Sequence, residues 1–212
     1  MSKIIVLIGA PGAGKGTQAR LMEERRGIPQ ISTGDIFREM KNADTPLAKK
    51  VQAIMAAGKL VSDELTFQVV KDRTSRETGK YILDGFPRTI LQAEMLEMMA
   101  QEQGREIQTI LVDIPLEFLE KRMTGRRSCP VCSEIYNIYT KPPKFDNVCD
   151  FHPETKLNHR ADDYEDKVKV RLATYDKQTK PLLDYYEKTG RLQKVDGDRE
   201  VEEIYADLEK LI

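Results

Sequence analysis

Cysteine is scarce in this chain, and its scarcity argues against a disulfide-rich architecture. The 212 residues include three cysteines and two histidines. Small secreted scaffolds that depend on disulfides are dense in cysteine, whereas reduced cysteines are typical of intracellular proteins. We therefore expect a reducing compartment, and the cytoplasm is the expected location.

Long apolar runs are also missing. Near the amino terminus an apolar run extends only from Ile4 to Ile8 and ends at Gly9. That run is too short for a secretory signal or a membrane span. We expect no membrane partner. The sequence also shows no internal repeat and no low-complexity tract.

Neither sign of charge is in excess. Lys and Arg total 34 against 35 for Asp and Glu, and the sequence pI is about 6.2. A chain without a basic field does not attract nucleic acid, so anion binding must come from local clusters. With 40% hydrophobic and 33% charged residues, the composition indicates a soluble globular protein with one substantial core.

Short apolar runs alternate with helical patterns along most of the chain. A helix is predicted from Lys15 to Arg26, and an amphipathic helix is predicted at 199–212. Strands are predicted at 3–9, 27–32, 81–85, 109–115 and 191–197. This alternation favours a parallel sheet with helices on both faces.

Two stretches interrupt the alternation. Residues 32–76 contain several helical patterns with no clear strand between them. Residues 125–163 contain all the cysteines, clustered Asp and Asn, and the pair Pro142 and Pro143. Because two prolines cannot lie inside a central strand or a helix, this second stretch predicts a small, turn-rich β insertion.

The segment GAPGAGKGT, residues 9–17, has the pattern of a phosphate-binding loop. Glycines allow backbone N–H groups to surround phosphate oxygens, and Lys15 adds a positive charge at the start of a helix. Gly16 occupies the position where the general pattern has Ser or Thr, and Thr17 follows it. The usual hydroxyl ligand is therefore missing from its position, and we expect Mg²⁺ to be held mainly through water. The alternative is a glycine-rich tight turn.

A second motif, YILDGFPR, covers residues 81–88. Asp84 ends an apolar strand, which is where α/β sheets place their ligands. A carboxylate at this point can orient the water shell of Mg²⁺. The alternative is a turn or helix-capping Asp before Gly85.

The cysteines are spaced like the ligands of a zinc ribbon. Cys129 and Cys132 form one pair, and Cys149 and His152 form a second pair after sixteen intervening residues. A site with three cysteines and one histidine leaves no open position on zinc, so the metal would be structural. Asp150, beside Cys149, and His159, seven residues after His152, are the alternatives to His152 as fourth ligand. Three unligated cysteines in a small apolar patch remain the alternative to a metal site.

Several motifs in fixed order together resemble the adenylate kinases, which are nucleoside-monophosphate kinases of the P-loop class. Besides the two motifs above, the resemblance rests on ISTGDIFR (31–38), AGKLVSDEL (57–65), TGRR (124–127), RADD (160–163), Arg171 and KVDG (194–197). The cysteine cluster is similar to that of the long-lid, zinc-binding members. The family itself carries glycine at the position of Gly16.

The resemblance implies an α/β fold: a P-loop NTPase-like five-stranded parallel sheet flanked by helices. A helical insert for the nucleoside monophosphate would cover 32–61, and a small β zinc-binding lid would cover 125–162. The kinase core would comprise 1–31, 62–124 and 163–212. The two implied inserts match the two stretches that interrupt the alternation.

The resemblance also implies the reaction, which is reversible, Mg²⁺-dependent phosphoryl transfer from ATP to AMP giving two ADP. The implied cofactors are Mg²⁺ with ATP and structural Zn²⁺. The implied partners are ATP, AMP and ADP, without nucleic acid or membrane, and the chain is expected to be a monomer.

The motif positions carry implied roles. The implied catalytic residues are Lys15, Asp84, Arg88, Arg122, Arg126, Arg160 and Arg171. ATP would contact Gly12, Ala13, Gly14, Lys15, Gly16, Thr17, Arg126, Ile135, Tyr136 and Arg199. AMP would contact Thr33, Arg38, Lys59, Leu60, Val61, Gly85, Phe86, Pro87, Arg88, Gln92, Arg160 and Arg171. Metal would be bound by Cys129, Cys132, Cys149 and His152.

Each of these residues also has a plainer interpretation. A single arginine is often a solvated surface charge, and Arg127 is expected at the surface. Gln92 could be an exposed helix residue. Asp162 and Asp163 are expected to pair with arginines of the lid and to influence the balance of open and closed lid.

Three other functions compete with that of an adenylate kinase. A UMP or CMP kinase, or one that uses GTP, differs only in base choice. A zinc-ribbon nucleic-acid binder is disfavoured by the balanced charge. A regulatory switch NTPase is disfavoured because no Asn-Lys-x-Asp-like segment for guanine recognition is found.

Overall fold

The computed structural model describes residues 2–40 and 45–212. Its centre is a five-stranded parallel sheet in the order β2-β3-β1-β4-β7. The strands are β1 (Lys3–Ile8), β2 (Gln30–Ser32), β3 (Tyr81–Asp84), β4 (Glu106–Asp113) and β7 (Leu192–Asp196). The predicted α/β fold with a five-stranded parallel sheet is confirmed.

Strand β1 lies in the middle of the sheet because both of its faces are apolar. Ile4, Val6 and Ile8 pack into the cluster on one face, and Ile5 and Leu7 pack into the cluster on the other face. A strand covered on both faces requires a continuous apolar run, and each buried isoleucine contributes about 2 kcal/mol.

The predicted strand at 109–115 is shifted in the structure, since β4 begins at Glu106 and ends at Asp113. Glu106 is exposed and pairs with Lys3 at the end of the sheet, and Gln108 is also polar. Polar residues at the solvated end of a strand hide its start from an apolar pattern.

Helices cover both faces of the sheet. They are α1 (Lys15–Arg26), α2 (Thr33–Glu39), α3 (Pro46–Ala56), α4 (Asp63–Thr74), α5 (Ile90–Glu102), α6 (Leu116–Thr124), α7 (Glu165–Thr174), α8 (Pro181–Lys188) and α9 (Val201–Leu211). The side-chain oxygens of Ser32, Thr45, Ser62 and Thr89 accept backbone N–H groups at the starts of α2, α3, α4 and α5. Each such cap contributes about 1 kcal/mol.

The stretch predicted to be helical contains α2, α3 and α4. Phe37, Val51 and Val61 form a small apolar cluster of their own there. Residues 41–44, which belong to the predicted insert at 32–61, lie outside the described residues. The cluster explains how the helices hold together beside the sheet.

The predicted turn-rich β insertion has the expected form. Strands β5 (Arg126–Ser128) and β6 (Ile135–Asn137) pair antiparallel, and isolated bridges join Ser128 to Asn158 and Val148 to Lys156. Its small interior consists of Cys129, Tyr136, Cys149 and Leu157. Among the described residues, no helix is long and apolar enough to cross a membrane.

Candidate functional site

The loop between β1 and α1 encloses its own lysine. Lys15 Nζ donates hydrogen bonds to the carbonyl oxygens of Gly9 at 2.7 Å and Ala10 at 3.0 Å. Gly14 caps α1 with φ +88°, a left-handed backbone that glycine adopts without strain. The predicted loop residues Gly12, Ala13, Gly16 and Thr17 therefore lie around the amino terminus of a helix, which favours anions.

Lys15 is surrounded by other charged groups. Desolvation lowers its pKa to about 8; the Asp84 carboxylate raises the pKa, whereas Arg88, Arg171 and Arg126 lower it. These groups come from separate elements of the chain, so only the tertiary structure brings them together. Binding of an anion would therefore stabilise the charged form of Lys15.

The position of Asp84 explains why residue 16 is glycine. A Cβ atom added to Gly16 would lie 3.1 Å from Asp84 Oδ2, so a side chain there would press against the carboxylate. The same Oδ2 accepts a hydrogen bond from Gln30 Nε2 at 3.1 Å. A carboxylate beside a phosphate-binding loop, with Thr17 on the first turn of α1, is the oxygen donor set that suits Mg²⁺.

The pKa values of Arg88, Arg160 and Arg171 are all lowered, as expected for positive charges that lie close together. Desolvation and the nearby Arg171 lower the pKa of Arg88 to about 10. Desolvation, then Arg126 and Arg38, lower the pKa of Arg160 to about 9. Desolvation also lowers the pKa of Arg171. Guanidinium groups that depress one another's pKa form a strong polyanion site.

A buried carboxylate partly compensates this positive charge. Asp163, whose side chain is fully buried, accepts two hydrogen bonds from Arg126, at 2.8 and 2.6 Å, and one from Arg171 at 2.7 Å. Asp162 pairs with Arg171 at 2.9 Å. Burial lowers the pKa of Arg126, but its pair with Asp163 outweighs burial and leaves the pKa raised. The expected pairing with a lid arginine is present for Asp163, which binds Arg126, whereas Asp162 binds Arg171, which lies outside the predicted lid.

Arg38 and Arg122, two further predicted arginines, have hydrogen-bond partners of their own. Arg38 pairs with Asp35 at 2.5 Å. Arg122, near the end of α6, donates to the carbonyl oxygen of Gly197 at 3.2 Å. Arg127, which was expected at the surface, is half-buried and donates to the carbonyl oxygens of Thr124 and Arg126.

The predicted AMP residues include a continuous hydrogen-bonded chain. The Gly85 carbonyl accepts Thr33 Oγ1 at 2.9 Å and Arg88 Nε at 2.8 Å. The backbone N–H of Arg88 donates to Gln92 Oε1 at 2.7 Å, and Gln92 Nε2 donates to Asp63 Oδ1 at 2.7 Å. Gln92 is 1% exposed, so its interpretation as an exposed helix residue is wrong.

Other predicted AMP residues flank this chain. Phe86 is buried, and the Phe86–Pro87 peptide bond is cis. Lys59 is exposed and Leu60 is half-buried, whereas Val61 packs into the small apolar cluster with Phe37. The Val61 side chain therefore stabilises the insert, and only its backbone remains for a nucleotide.

Tyr136, predicted to contact the adenine of ATP, has its side chain turned into the lid. The Tyr136 hydroxyl lies 3.6 Å from Cys149 Sγ and accepts the backbone N–H of Asp150 at 2.9 Å. Ile135 is half-buried beside it. The Arg199 side chain pairs with Asp207. Only the backbone of Tyr136 can therefore face a nucleotide in this arrangement.

The four predicted metal ligands converge on one point. Their ligand atoms all lie within 4.8 Å of one another. Cys132 Sγ and Cys149 Sγ are 3.7 Å apart, and His152 Nδ1 lies 3.7 Å from Cys149 Sγ and 3.9 Å from Cys129 Sγ. A tetrahedral zinc with bonds near 2.3 Å needs ligand separations of about 3.8 Å. The donor set fits zinc.

The two alternative fourth ligands have other environments. Asp150 Oδ1 accepts the backbone N–H of Lys144 at 2.8 Å. The His159 ring packs against Tyr164, with centroids 4.6 Å apart, and desolvation and the Arg127 charge lower its pKa. Among the three candidates, His152 is the one that stands with the cysteines.

Sequence reasoning overlooked three polar residues that support the site. Gln30 contacts Asp84, Asp35 holds Arg38, and Asp63 holds Gln92. Asp35 and Asp63 lie inside motifs quoted for the resemblance, so a search for carboxylates within those motifs could have found them. Gln30 lies outside the quoted motifs, so nothing in the sequence pointed to it.

Comparison with known proteins agrees with this geometry. The family model described as adenylate kinase matches residues 7–191. An adenylate kinase of Clostridium novyi is 46% identical over 204 residues, covering 95% of this chain and 94% of that protein. The adenylate kinase of Caldanaerobacter subterraneus subsp. tengcongensis is 45% identical over 211 residues, covering 98% and 95%. That of Thermotoga petrophila is 44% identical over 216 aligned positions, covering 100% and 98%.

Both the family model and these relatives extend along nearly the whole chain, and the phosphate loop and arginine cluster lie within the matched region. The cysteine cluster lies within it as well. The chain belongs to the adenylate kinase family and is a phosphotransferase, a nucleoside-monophosphate kinase.

Proposed function

We propose that this protein catalyses the reversible, Mg²⁺-dependent transfer of the terminal phosphoryl group of ATP to AMP, giving two ADP. The observation that carries the proposal is the convergence of Lys15 with Arg88, Arg126 and Arg171, which influence one another's pKa beside the phosphate-binding loop. ATP and AMP together bring four phosphate groups to one site, and that much negative charge needs this density of positive charge.

The proposed chemistry needs no general base. A phosphate oxygen of AMP, already an anion, forms a bond to the γ-phosphorus of ATP, while the bond from that phosphorus to the β–γ bridging oxygen breaks. The electron pair leaves with ADP. The protein's task is to position the phosphates of the two nucleotides and to stabilise the charge of the transferring group.

The cations divide this task. Arg38 and Arg88 bind the phosphate of AMP. Lys15, with Arg122, Arg126, Arg160 and Arg171, binds the phosphates of ATP and the transferring group. The lowered pKa values of Lys15, Arg88 and Arg160 indicate charges that are preorganised at a cost. Bound phosphates offset that cost, so the same charges stabilise the transition state.

Mg²⁺ with ATP would be held through Asp84 and Thr17, directly or through water. When bound, the ion neutralises charge on the phosphates. The chain contributes the orientation of Asp84, because Gln30 holds one carboxylate oxygen at 3.1 Å.

The preference for AMP as the phosphoryl acceptor follows from the hydrogen-bonding state of the Thr33 hydroxyl. Its hydroxyl hydrogen is used by the Gly85 carbonyl at 2.9 Å, so the oxygen can offer only lone pairs to a base. A lone pair accepts from the amino group of adenine. On the ATP side we propose backbone contacts from Ile135, Tyr136 and the chain near Arg199.

The two insertions cover the two nucleotides in this proposal. Residues 32–61 cover AMP, and the lid at 125–162 covers ATP, both moving on the core of 1–31, 62–124 and 163–212. Closure excludes water from the transferring group. Asp163, by binding Arg126 and Arg171, contributes to the balance between open and closed lid.

The metal proposed for the cysteine cluster is a structural Zn²⁺. Its four protein ligands would be Cys129, Cys132, Cys149 and His152, leaving no open position for chemistry. The Tyr136 and His152 hydrogen bonds outweigh burial and lower the pKa of Cys149 to about 6, which favours the thiolate that zinc binds. We further propose a cytoplasmic monomer without nucleic-acid or membrane partners.

An acceptor panel tests the proposal. The protein is incubated with Mg-ATP and AMP, UMP, CMP or GMP, and diphosphate formation is measured. We expect AMP to be the preferred acceptor. Preference for UMP or CMP would establish the alternative kinase, and no transfer to any monophosphate would overturn the proposal. Lys15→Met should abolish transfer, whereas Lys3→Met, at the opposite end of β1, should retain it.

A further inference from the structure

The amide of Gln92 is held by two partners of opposite chemical kind. Its Oε1 accepts the backbone N–H of Arg88, and its Nε2 donates to Asp63, both at 2.7 Å. A backbone N–H can only donate, and a carboxylate can only accept. An inverted amide would place donor against donor and acceptor against acceptor, so the surroundings determine its orientation.

Asp63 is itself held in place. Thr89 Oγ1 donates to the same oxygen, Asp63 Oδ1, at 3.0 Å, and accepts the backbone N–H of Gln92 at 3.2 Å. Asp63 is the first residue of α4, and Gln92 lies in the first turn of α5. The carboxylate therefore acts across two helices as an ordered hydrogen-bond acceptor.

The Gln92 amide has capacity left for a ligand. A primary amide offers two N–H donors and two oxygen lone pairs, and the two internal bonds use one of each. One donor and one acceptor remain, on ends that cannot exchange. Gln is a residue that makes such a bidentate contact with adenine.

Adenine and guanine require opposite amide orientations. On its Watson–Crick edge adenine presents an amino donor at position 6 beside a ring-nitrogen acceptor at position 1. Guanine presents a carbonyl acceptor at position 6 beside an N–H donor at position 1. An amide that reads one base must therefore be inverted to read the other.

We propose that Asp63 is a specificity-determining positioning residue for the acceptor nucleotide. By accepting from Gln92 Nε2, it keeps the amide in the orientation that pairs with adenine and prevents the inversion that would pair with guanine. Asp63 acts through Gln92 and does not contact the nucleotide. This inference rests on the proposed function and names the group that enforces its base preference.

Asp63→Asn tests the inference. Asparagine has the same shape but offers a donor as well as an acceptor, so one of the two groups that oppose inversion is removed. The ratio of kcat/KM for AMP to kcat/KM for GMP should fall by about tenfold. That is the effect expected from losing one buried hydrogen-bond mismatch that opposes inversion. If Asp63→Asn does not fold, Asp63→Ser, which suits a helix start and is too short to reach Gln92, should show the same fall.

Glu64→Gln is the matched control. Glu64 is exposed and is the next residue in the first turn of α4, so its substitution removes the same helix-terminal charge without touching Gln92. Its AMP-to-GMP ratio should equal that of the wild type. In a Gln92→Ala background, Asp63→Asn should no longer change the ratio.

A purely structural role for Asp63 has a different signature. It would lower the melting temperature of Asp63→Asn and reduce both kcat/KM values equally, and that result overturns the inference while leaving the AMP kinase intact. Wild-type protein that transfers to no monophosphate would overturn the proposed function, and this inference with it.

Discussion

Replacing Asp163 by Asn should destabilise the protein more than any exposed acidic substitution. The Asp163 side chain is fully buried and is bound by Arg126 through two hydrogen bonds and by Arg171 through one. Asparagine keeps the shape but loses the charge, and its amide N–H would face guanidinium N–H groups. Arg126 and Arg171, both largely buried, would then lose most of the negative charge that compensates them.

The magnitude follows from the burial. Breaking a buried ion pair by removing one partner costs about 3–5 kcal/mol. Asp162 still pairs with Arg171 at 2.9 Å and retains part of the compensation, so we expect a loss near the lower limit, about 3 kcal/mol in the free energy of unfolding. For a chain of this size that loss corresponds to roughly 6–12 °C in melting temperature.

Thermal unfolding followed by circular dichroism, without nucleotide or phosphate, measures this loss. Asp166→Asn is the control, because the Asp166 side chain is 69% exposed and close in sequence, and it should melt with the wild type. Equal melting temperatures for Asp163→Asn and Asp166→Asn would refute the reasoning.

The pH dependence of this difference has a defined sign. Burial raises the pKa of Asp163, but Arg126 and Arg171 outweigh it and hold the pKa below its usual value. Such a group contributes stability above its unfolded pKa, about 3.9, and loses it as the pH falls through the lower folded pKa. The gap between wild type and Asp163→Asn should stay constant from about pH 5 to 7 and narrow below about pH 4.

Three other predictions concern metal, protonation and backbone. His152→Ala should lower both the zinc bound per chain and the thermal stability, whereas His159→Ala should retain zinc. Elemental analysis measures the zinc content. Full zinc occupancy in the His152→Ala variant would show that His152 is not a ligand. Because the pKa of Lys15 is about 8, the KM for ATP should rise as the pH increases through 8, and a flat profile to pH 9.5 would contradict this. Gly85→Ala would place a Cβ 2.7 Å from Arg88 Nη2 on a left-handed backbone, so the KM for AMP should rise about tenfold; an unchanged KM would separate Arg88 from AMP binding.

The strands of the parallel sheet were predictable because the local apolar pattern and burial coincide there. Strand β1 is apolar at every position from Ile4 to Ile8, as a strand covered on both faces must be. The start of β4 was missed because Glu106 and Gln108 are polar at the solvated end of the sheet. Pattern recognition locates buried strand centres better than strand ends.

The metal cluster was half predictable. The spacing of the cysteines identifies two ligand pairs that hairpin turns can bring together. It favours His152 over Asp150 and His159 as the fourth ligand, but the side chain that the folded loop turns inwards depends on the tertiary structure. Asp150 turns towards the backbone of Lys144, and His152 turns towards the cysteines.

By itself the sequence determined the order of the elements, the pattern of the phosphate-binding loop and the set of basic residues that we propose to bind phosphate. Only the tertiary structure decided the partners of those residues: Asp163 beside Arg126, Gly16 against Asp84, and Asp63 against Gln92. The physical reason is distance along the chain. Residues tens of positions apart leave no local periodicity that records their contact, yet buried charges and amides require such partners.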